Sequence, residues 1–176
     1  EHINIHPDTG KVYLSGFSNA SNISSENKNN LPSMGMECSP EYISPEQTGL
    51  LNTVIDQRSD LYSLGVIFYE MLTGRLPLEA GSHQEWLHAH ITVKPKPPIN
   101  IKPDIPSVIS EIVMKLLEKN MEERYQNAFG LAWDIRECKK RWMETGKIDT
   151  FTIGRRDVYT YFQLPHKLYG RDVEAE

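Results

Sequence analysis

The sequence predicts an α+β fold that is mainly helical, with a small N-terminal β-hairpin and helices packed around one buried central helix. Residues 60–73 place large apolar side chains on every side of a helix, and such a helix has to be buried. Residues 107–119 and 127–145 repeat apolar residues at the spacing of amphipathic helices. Strand-like runs stand near the start of the chain, at residues 3–6 and 11–15.

A tight turn joins the two strand-like runs. Between Ile3-Asn4-Ile5 and Lys11-Val12-Tyr13-Leu14 lies Pro7-Asp8-Thr9-Gly10, in which proline and glycine occupy turn positions. The spacing therefore predicts a β-hairpin.

The helix over residues 60–73 is the predicted centre of the core. A membrane span is excluded because Asp60 and Glu70 bracket a run too short to cross a bilayer. Ser59 or Asp60 can cap its first turn, and Gly74 can end the helix in the left-handed conformation. At ~1.5–3 kcal/mol for each buried large apolar side chain, this helix alone can organise the core.

Three further helices are predicted, over residues 83–90, 107–119 and 127–145. Their buried faces are expected to hold Trp86, Leu87 and Ile91; then Ile109, Ile112, Val113, Leu116 and Leu117; then Leu131, Ala132 or Trp133, Ile135, Cys138 and Trp142. His88 and His90 point apart on a helix and have no third ligand nearby in sequence, so no metal site is predicted.

Composition and charge narrow the function. The chain has 176 residues, about one domain, with a formal charge of −5 and no basic stripe, so nucleic acid is not an expected partner. Cys38 and Cys138 fit neither a disulfide framework nor a zinc spacing. No signal peptide or membrane span is recognisable, and the expected location is cytoplasmic.

Two short motifs stand in order around the central helix. Ser44-Pro45-Glu46 resembles the A-P-E triplet that closes the activation segment of protein kinases, and the run from Asp60 to Gly65 resembles the start of that family's central helix. The chain thus resembles the lower lobe, or C-lobe, of a protein kinase. The resemblance implies that Glu46 forms a structural ion pair with Arg124, and that Asp60 hydrogen-bonds the backbone of the catalytic loop.

The family's metal-binding positions are altered. Where kinases have D-F-G this chain has Gly16-Phe17-Ser18, so Gly16 replaces the metal-binding Asp. The turn alignment places His2 at the catalytic-loop Asn, whereas a two-residue slip would place Asn4 there. Because phosphoryl transfer depends on Mg²⁺ and Mg²⁺ prefers carboxylate oxygens, glycine and imidazole are poor replacements.

The other catalytic elements of the family are not recognisable in the sequence. The Gly-rich loop, the β3 Lys, the helix-C Glu and the H-R-D base would precede residue 1, so we interpret the chain as a fragment without catalytic residues. Residues 18–40 occupy the activation-segment position and are expected to be a solvated mobile loop, with phosphorylation of its serines as the alternative. Cys38-Ser39 replaces the usual Gly-Thr, which weakens the expectation of substrate-peptide docking.

Residues 147–176 no longer resemble a kinase. They resemble the linker between a kinase-like domain and an ATPase module in multidomain hybrid histidine kinases, among them fungal stress sensors. We therefore expect a partial kinase-like domain over 1–146 and a linker toward an ATPase-type domain over 147–176.

The expected function is non-catalytic: a regulatory or docking pseudokinase lobe in a two-component, stress-signalling protein. The expected partners are other domains of the same polypeptide or other signalling proteins. No cofactor is expected for this chain, and ATP with Mg²⁺ belongs to a complete active homologue. Two alternatives stay open: a fragment of an active ATP-dependent Ser/Thr protein kinase, and a helical scaffold that binds no nucleotide.

Overall fold

The computed structural model describes residues 3–15 and 39–158. They belong to two compact units, an N-terminal one within residues 1–31 and a helical one that begins at residue 32. Across these described ranges, no helix combines the length and the apolar character that a membrane span requires.

The N-terminal unit contains the predicted hairpin. Strand β1 (Ile3–Ile5) pairs antiparallel with β2 (Val12–Leu14), and Ile5 lies opposite Val12. The turn closes through the Gly10 amide, which donates to the His6 carbonyl at 2.9 Å. Gly10 has a φ of 65°, a left-handed conformation that glycine adopts without steric cost.

The central helix α1 spans Gln57–Thr73 and starts earlier than predicted. Its N-cap is Asp56, whose carboxylate accepts the Arg58 amide at 2.8 Å, so the prediction of a Ser59 or Asp60 cap was wrong. The hydroxyl of Ser59 is used elsewhere, as described below. Gly74 ends the helix in the left-handed conformation at a φ of 80°, as predicted.

Three helices follow α1: α2 (His83–Thr92), α3 (Ser107–Leu116) and α4 (Ala128–Thr145). The side chain of Asn127 caps α4 by accepting the Gly130 amide at 2.9 Å, and Gly146 ends that helix with a φ of 67°. All three helices lie where the apolar spacing predicts them, with ends shifted by up to three residues.

Within residues 39–158 the core of the helical unit contains three clusters; two of them include residues of both α1 and α3, and the third consists of Leu78, Trp86 and Ala89. The first cluster contains Leu61, Val108, Ile112, Leu116, Tyr125, Leu131 and Cys138. The second contains Tyr62, Val66, Tyr69, Val113 and Leu117. Helices α1 and α3 both contribute to these two clusters and together organise the core, although Met71 near the end of α1 is 70% exposed.

The buried face of α4 differs from the prediction. Ile135 and Trp142 are 37% and 56% exposed, whereas Asp134 is fully buried. The carboxylate of Asp134 accepts hydrogen bonds from the Tyr125 hydroxyl and, at 2.7 Å, from the Gly154 amide. A buried carboxylate needs such donors, and apolar spacing could not reveal them because both donors lie outside the helix.

Residues 147–158, which we call the strap, pack against the helical unit after α4 ends. Ile148, Phe151 and Ile153 contact the first core cluster. The Arg141 guanidinium lies over the Phe151 ring, 4.8 Å from its centroid. The packed unit therefore continues past residue 146, the predicted domain boundary; a linker role toward an ATPase domain stays a prediction.

Candidate functional site

The segment over residues 39–48 carries the Ser44-Pro45-Glu46 motif and consists of two 3₁₀ turns. Pro40–Tyr42 forms the first turn and Pro45–Thr48 the second. The second turn has a capping box, because the Gln47 side chain accepts from the Ser44 backbone amide at 2.9 Å. Pro45 occupies the first position of the turn, where its missing N–H costs no hydrogen bond. These features fix the position of Glu46.

The predicted ion pair between Glu46 and Arg124 is present in the structure. Nη1 of Arg124 lies 2.7 Å from Oε1 of Glu46, and Nη2 lies 2.8 Å from Oε2, which makes the pair bidentate. The two side chains are 2% and 0% exposed. The Ser59 hydroxyl donates to Glu46 Oε1 at 2.7 Å. We call Glu46, Ser59 and Arg124 the ionic anchor.

The guanidinium of Arg124 uses all five of its N–H groups. Besides Glu46 it donates to backbone carbonyls: Nε to Glu118 at 2.7 Å, Nη1 to Arg58 at 3.2 Å and Nη2 to Lys119 at 3.2 Å. Its carbon Cζ also lies 4.9 Å from the Tyr62 ring centroid. A buried charge is tolerated when it is paired and fully hydrogen-bonded, and Arg124 meets both conditions.

The surroundings of Glu46 shift its pKa. Burial alone would raise the pKa of this carboxyl, but the hydrogen bonds from Arg124 and Ser59 outweigh burial and hold the pKa below its usual value. Glu46 is therefore ionised at neutral pH. The anchor ties the end of the activation-segment region to α1 and to the loop before α4, a structural role.

The other two motif residues lie on α1. Asp60 is in the first turn and is exposed, and within the described ranges no side chain or amide donates to its carboxylate. Its predicted partner, the catalytic loop, is not recognisable in the sequence, so this role stays a prediction. Gly65 is buried, and a Cβ there would lie 2.7 Å from the Cβ of Leu116. Glycine at this position lets α1 and α3 approach closely.

A second buried polar cluster was not predicted from the sequence. The Nε2–H of His90 donates to the Pro40 carbonyl at 2.9 Å, and the carbonyl can only accept, which fixes the tautomer. His90 Nδ1 therefore accepts from the Tyr62 hydroxyl at 3.1 Å, and Lys119 Nζ donates to the same hydroxyl oxygen at 3.1 Å. We call Pro40, His90, Tyr62 and Lys119 the imidazole chain.

Burial shifts the pKa of every titratable side chain in the imidazole chain. It lowers the pKa of His90 to about 4, with a contribution from the Lys119 charge, despite the opposing hydrogen bond to Pro40. It also lowers the pKa of Lys119 to about 8 and raises the pKa of Tyr62. At neutral pH the ring of His90 is uncharged, as the hydrogen-bond pattern requires.

Other positions named from the sequence contribute less to this site. Gly16 and His2, at the family's metal-binding positions, lie outside the described residues, as does most of the loop over 18–40. His88 is exposed while His90 is buried. Within residues 3–15 and 39–158 no group of three or more His, Cys, Asp and Glu side chains could hold a metal ion.

Comparison with known proteins agrees with this architecture. The family model of the protein kinase domain matches residues 2–140. The chain therefore belongs to the protein kinase family, and the mainly helical fold with a small hairpin is the one expected from that membership. The anchor and the Gly65 contact thus lie in a kinase-type lower lobe, while the strap lies beyond the matched residues.

Relatives of the chain include two kinds of kinase. It is 36% identical to hybrid signal transduction histidine kinase G of Dictyostelium discoideum, over 76% of this chain and 4% of that protein. It is 32% identical to the peroxide stress-activated histidine kinase mak3 of Schizosaccharomyces pombe, over 77% of this chain and 6% of that protein. It is also 36% identical to the serine/threonine-protein kinase pkn3 of Myxococcus xanthus, over 76% of this chain and 24% of that protein. The chain spans less than a quarter of each relative's length.

Proposed function

We propose that this chain is a non-catalytic regulatory or docking lobe, a pseudokinase-type module within a cytoplasmic two-component signalling protein. One contrast supports this proposal. Within the described residues the lobe keeps its buried ion pair between Glu46 and Arg124, whereas the aligned position of the metal-binding Asp is Gly16. Retention of the scaffold without the metal ligand favours a role in binding over phosphoryl transfer.

The relatives support the same signalling context. Two of them are histidine kinases far longer than this chain, and one is named as stress-activated. The proposed partners are therefore other domains of the same polypeptide, with residues 147–176 leading toward an ATPase-type domain. The stress response is part of the proposal on the strength of that relative.

An active Ser/Thr kinase is the second candidate, because pkn3 is also similar to the chain. The two candidates differ in how they treat Mg²⁺. An active kinase binds ATP through metal ions held by carboxylates, whereas a lobe with Gly16 has lost one of those ligands.

Calorimetric titration of ATP, with and without Mg²⁺, tests the proposal in protein that carries this chain together with its kinase upper lobe. We expect wild-type protein to show no Mg²⁺-dependent ATP affinity and no phosphate transfer. The matched variant Gly16→Asp restores the carboxylate and should gain Mg²⁺ dependence if the rest of the cleft is intact.

Each result of this titration has a defined meaning. Mg²⁺-dependent binding with phosphate transfer by the wild-type protein would replace the proposal with the active-kinase function. Binding without Mg²⁺ dependence would support a pseudokinase that uses nucleotide as a structural ligand. No binding by either protein would leave a scaffold that acts through protein contacts alone.

A further inference from the structure

The strap is bound to the helical unit by polar contacts at the start of α4. The two carboxylate oxygens of Asp157 each accept the Gln126 amide at 2.9 Å, and Oδ1 also accepts the Asn127 amide at 3.3 Å. The Asn127 side chain donates to the Val158 carbonyl at 2.7 Å. Amides just before a helix lack intrahelical partners, and a carboxylate there is also favoured by the helix dipole.

The first turn of α4 is shaped to receive the strap. Gly130 lies against Asp157 so closely that a Cβ at residue 130 would be 2.7 Å from the Asp157 Cβ and 2.8 Å from its Cα. Glycine inside a helix costs about 1 kcal/mol relative to alanine, so its presence here has a packing reason. Any side chain at residue 130 would have to displace the strap or the helix.

Gln126, whose amide donates to Asp157, also contacts the ionic anchor. The Gln126 side chain donates to the carbonyl of Arg124 at 2.8 Å and accepts from Arg58 Nη1 at 2.8 Å. The Arg58 carbonyl in turn accepts from Arg124 Nη1 at 3.2 Å. Thus Gln126 lies between Asp157 of the strap and Arg124, whose guanidinium also pairs with Glu46 in the activation-segment region.

We propose that the strap is a latch: its docking at the start of α4 holds the loop of Gln126 and Arg124 and thereby the ionic anchor, and its release loosens the anchor. In this way, force or partner binding on the chain near residue 158 would change how firmly the segment over residues 44–48 is held. The strap lies outside residues 2–140, the range that the protein kinase family model matches. The proposal does not depend on nucleotide binding.

The test is NMR measurement of water exchange in the full chain. The Nε–H of Arg124, which donates to Glu118 at 2.7 Å, reports on the anchor, and the Gln126 and Asn127 amides report on strap docking. We expect Asp157→Asn to speed exchange of both sets by about three- to tenfold, because the charge that holds the amides is gone. The amides of α2 should not change.

Two other variants make the result specific. Gly130→Ala changes the helix side of the contact and should displace Asp157. It should speed exchange at the same groups as Asp157→Asn does, and combining the two variants should add little. Asp149→Asn removes a carboxylate from an exposed strap position and serves as the matched control, with no expected change. Its removal changes the net charge of the strap by the same amount.

Other outcomes would overturn the latch. Faster exchange at Gln126 and Asn127 with an unchanged Arg124 Nε–H would make Asp157 a local helix cap. Unchanged exchange at all three groups would show that docking does not depend on Asp157. An equal rise in α2 would indicate global destabilisation without specific coupling.

Discussion

The ionic anchor and the imidazole chain are two buried polar clusters that hold the same segment through different kinds of interaction. Both fix the segment over residues 39–48 to the helices, the anchor at Glu46 and the chain at Pro40. The anchor uses a full charge pair, whereas the chain uses a neutral ring. Tyr62 joins them, because its ring lies against Arg124 and its hydroxyl binds His90.

The difference concerns what each cluster can tolerate. Paired buried charges remain stable while both partners are present, and removal of one leaves the other desolvated and uncompensated. A neutral imidazole needs no counter-charge but fails when it is protonated, since both ring nitrogens then become donors. The anchor should therefore be sensitive to loss of a partner, and the imidazole chain to pH.

The largest expected effect comes from Arg124→Met. This change leaves the Glu46 carboxylate buried without its partner and should lower the free energy of unfolding by ~3–5 kcal/mol, as measured by urea denaturation. The matched double variant Glu46→Gln with Arg124→Met removes the stranded charge and should recover part of the loss. A loss below ~1 kcal/mol in the single variant would contradict the role assigned to the anchor.

Acidification should reduce the stabilisation that the imidazole chain provides. The folded-state pKa of His90 is about 4, below its ordinary value of 6.5, so the unfolded state binds the proton first. The contribution of His90 to the free energy of unfolding is complete above pH 6.5 and is lost as pH falls through about 4. Its total is at most about 3 kcal/mol.

Urea denaturation across this pH range provides the measurement, with His90→Gln as the variant that cannot titrate there. Its stability should change less steeply with pH than that of the wild type. His88→Gln, which alters an exposed histidine, should keep the wild-type slope. Glu46 behaves in the same direction at lower pH, because its pKa is held below 4.5 and its contribution is lost as pH falls through that lowered value. Equal slopes for wild type and His90→Gln would contradict the assignment.

The anchor could be predicted from sequence and the imidazole chain could not. Glu46 and Arg124 stand in motifs whose order and spacing are shared with a large family, so their pairing follows from the resemblance. His90 lies in no motif, and its two partners, Pro40 and Tyr62, are 50 and 28 residues away. Nothing local in the sequence distinguishes this buried histidine from the exposed His88.

The same limit applies to the helices. Apolar periodicity predicted α3 and α4, and apolar residues on every side predicted α1, because both patterns are local properties of the chain. It failed at Asp134, whose donors are Tyr125 and Gly154, and at the strap, whose docking depends on the absence of a side chain at Gly130. Contacts with residues that are distant in the chain produce no periodic pattern in the sequence.

Close packing between α1 and α3 provides a prediction of intermediate size. Gly65→Ala adds a methyl group 2.7 Å from the Leu116 Cβ, where α1 and α3 touch. Overpacking of this kind costs ~1–3 kcal/mol, and the better helix propensity of alanine offsets about 1 kcal/mol of it. Urea denaturation should therefore show a net loss. Gly81→Ala, where the nearest atom would be the end of a flexible side chain at 3.4 Å, is the control and should change stability little. A gain in stability for Gly65→Ala would show that the helices can move apart freely.

The smallest expected effect sharpens the contrast between a fully buried ion pair and partly exposed ones. The Arg58 side chain is 13% exposed and forms ion pairs with Asp56 at 2.8 Å and Glu122 at 2.9 Å, whose side chains are 26% and 50% exposed. Pairs open to water contribute ~0–1 kcal/mol, so Arg58→Met should cost far less than Arg124→Met. Urea is the suitable denaturant because it leaves the ionic strength free to vary. Added salt should reduce the Arg58→Met difference, since salt screens exposed charges, and should leave the Arg124→Met difference nearly unchanged. Equal salt dependence of the two variants would mean that full burial does not separate the anchor from the partly exposed pairs of Arg58.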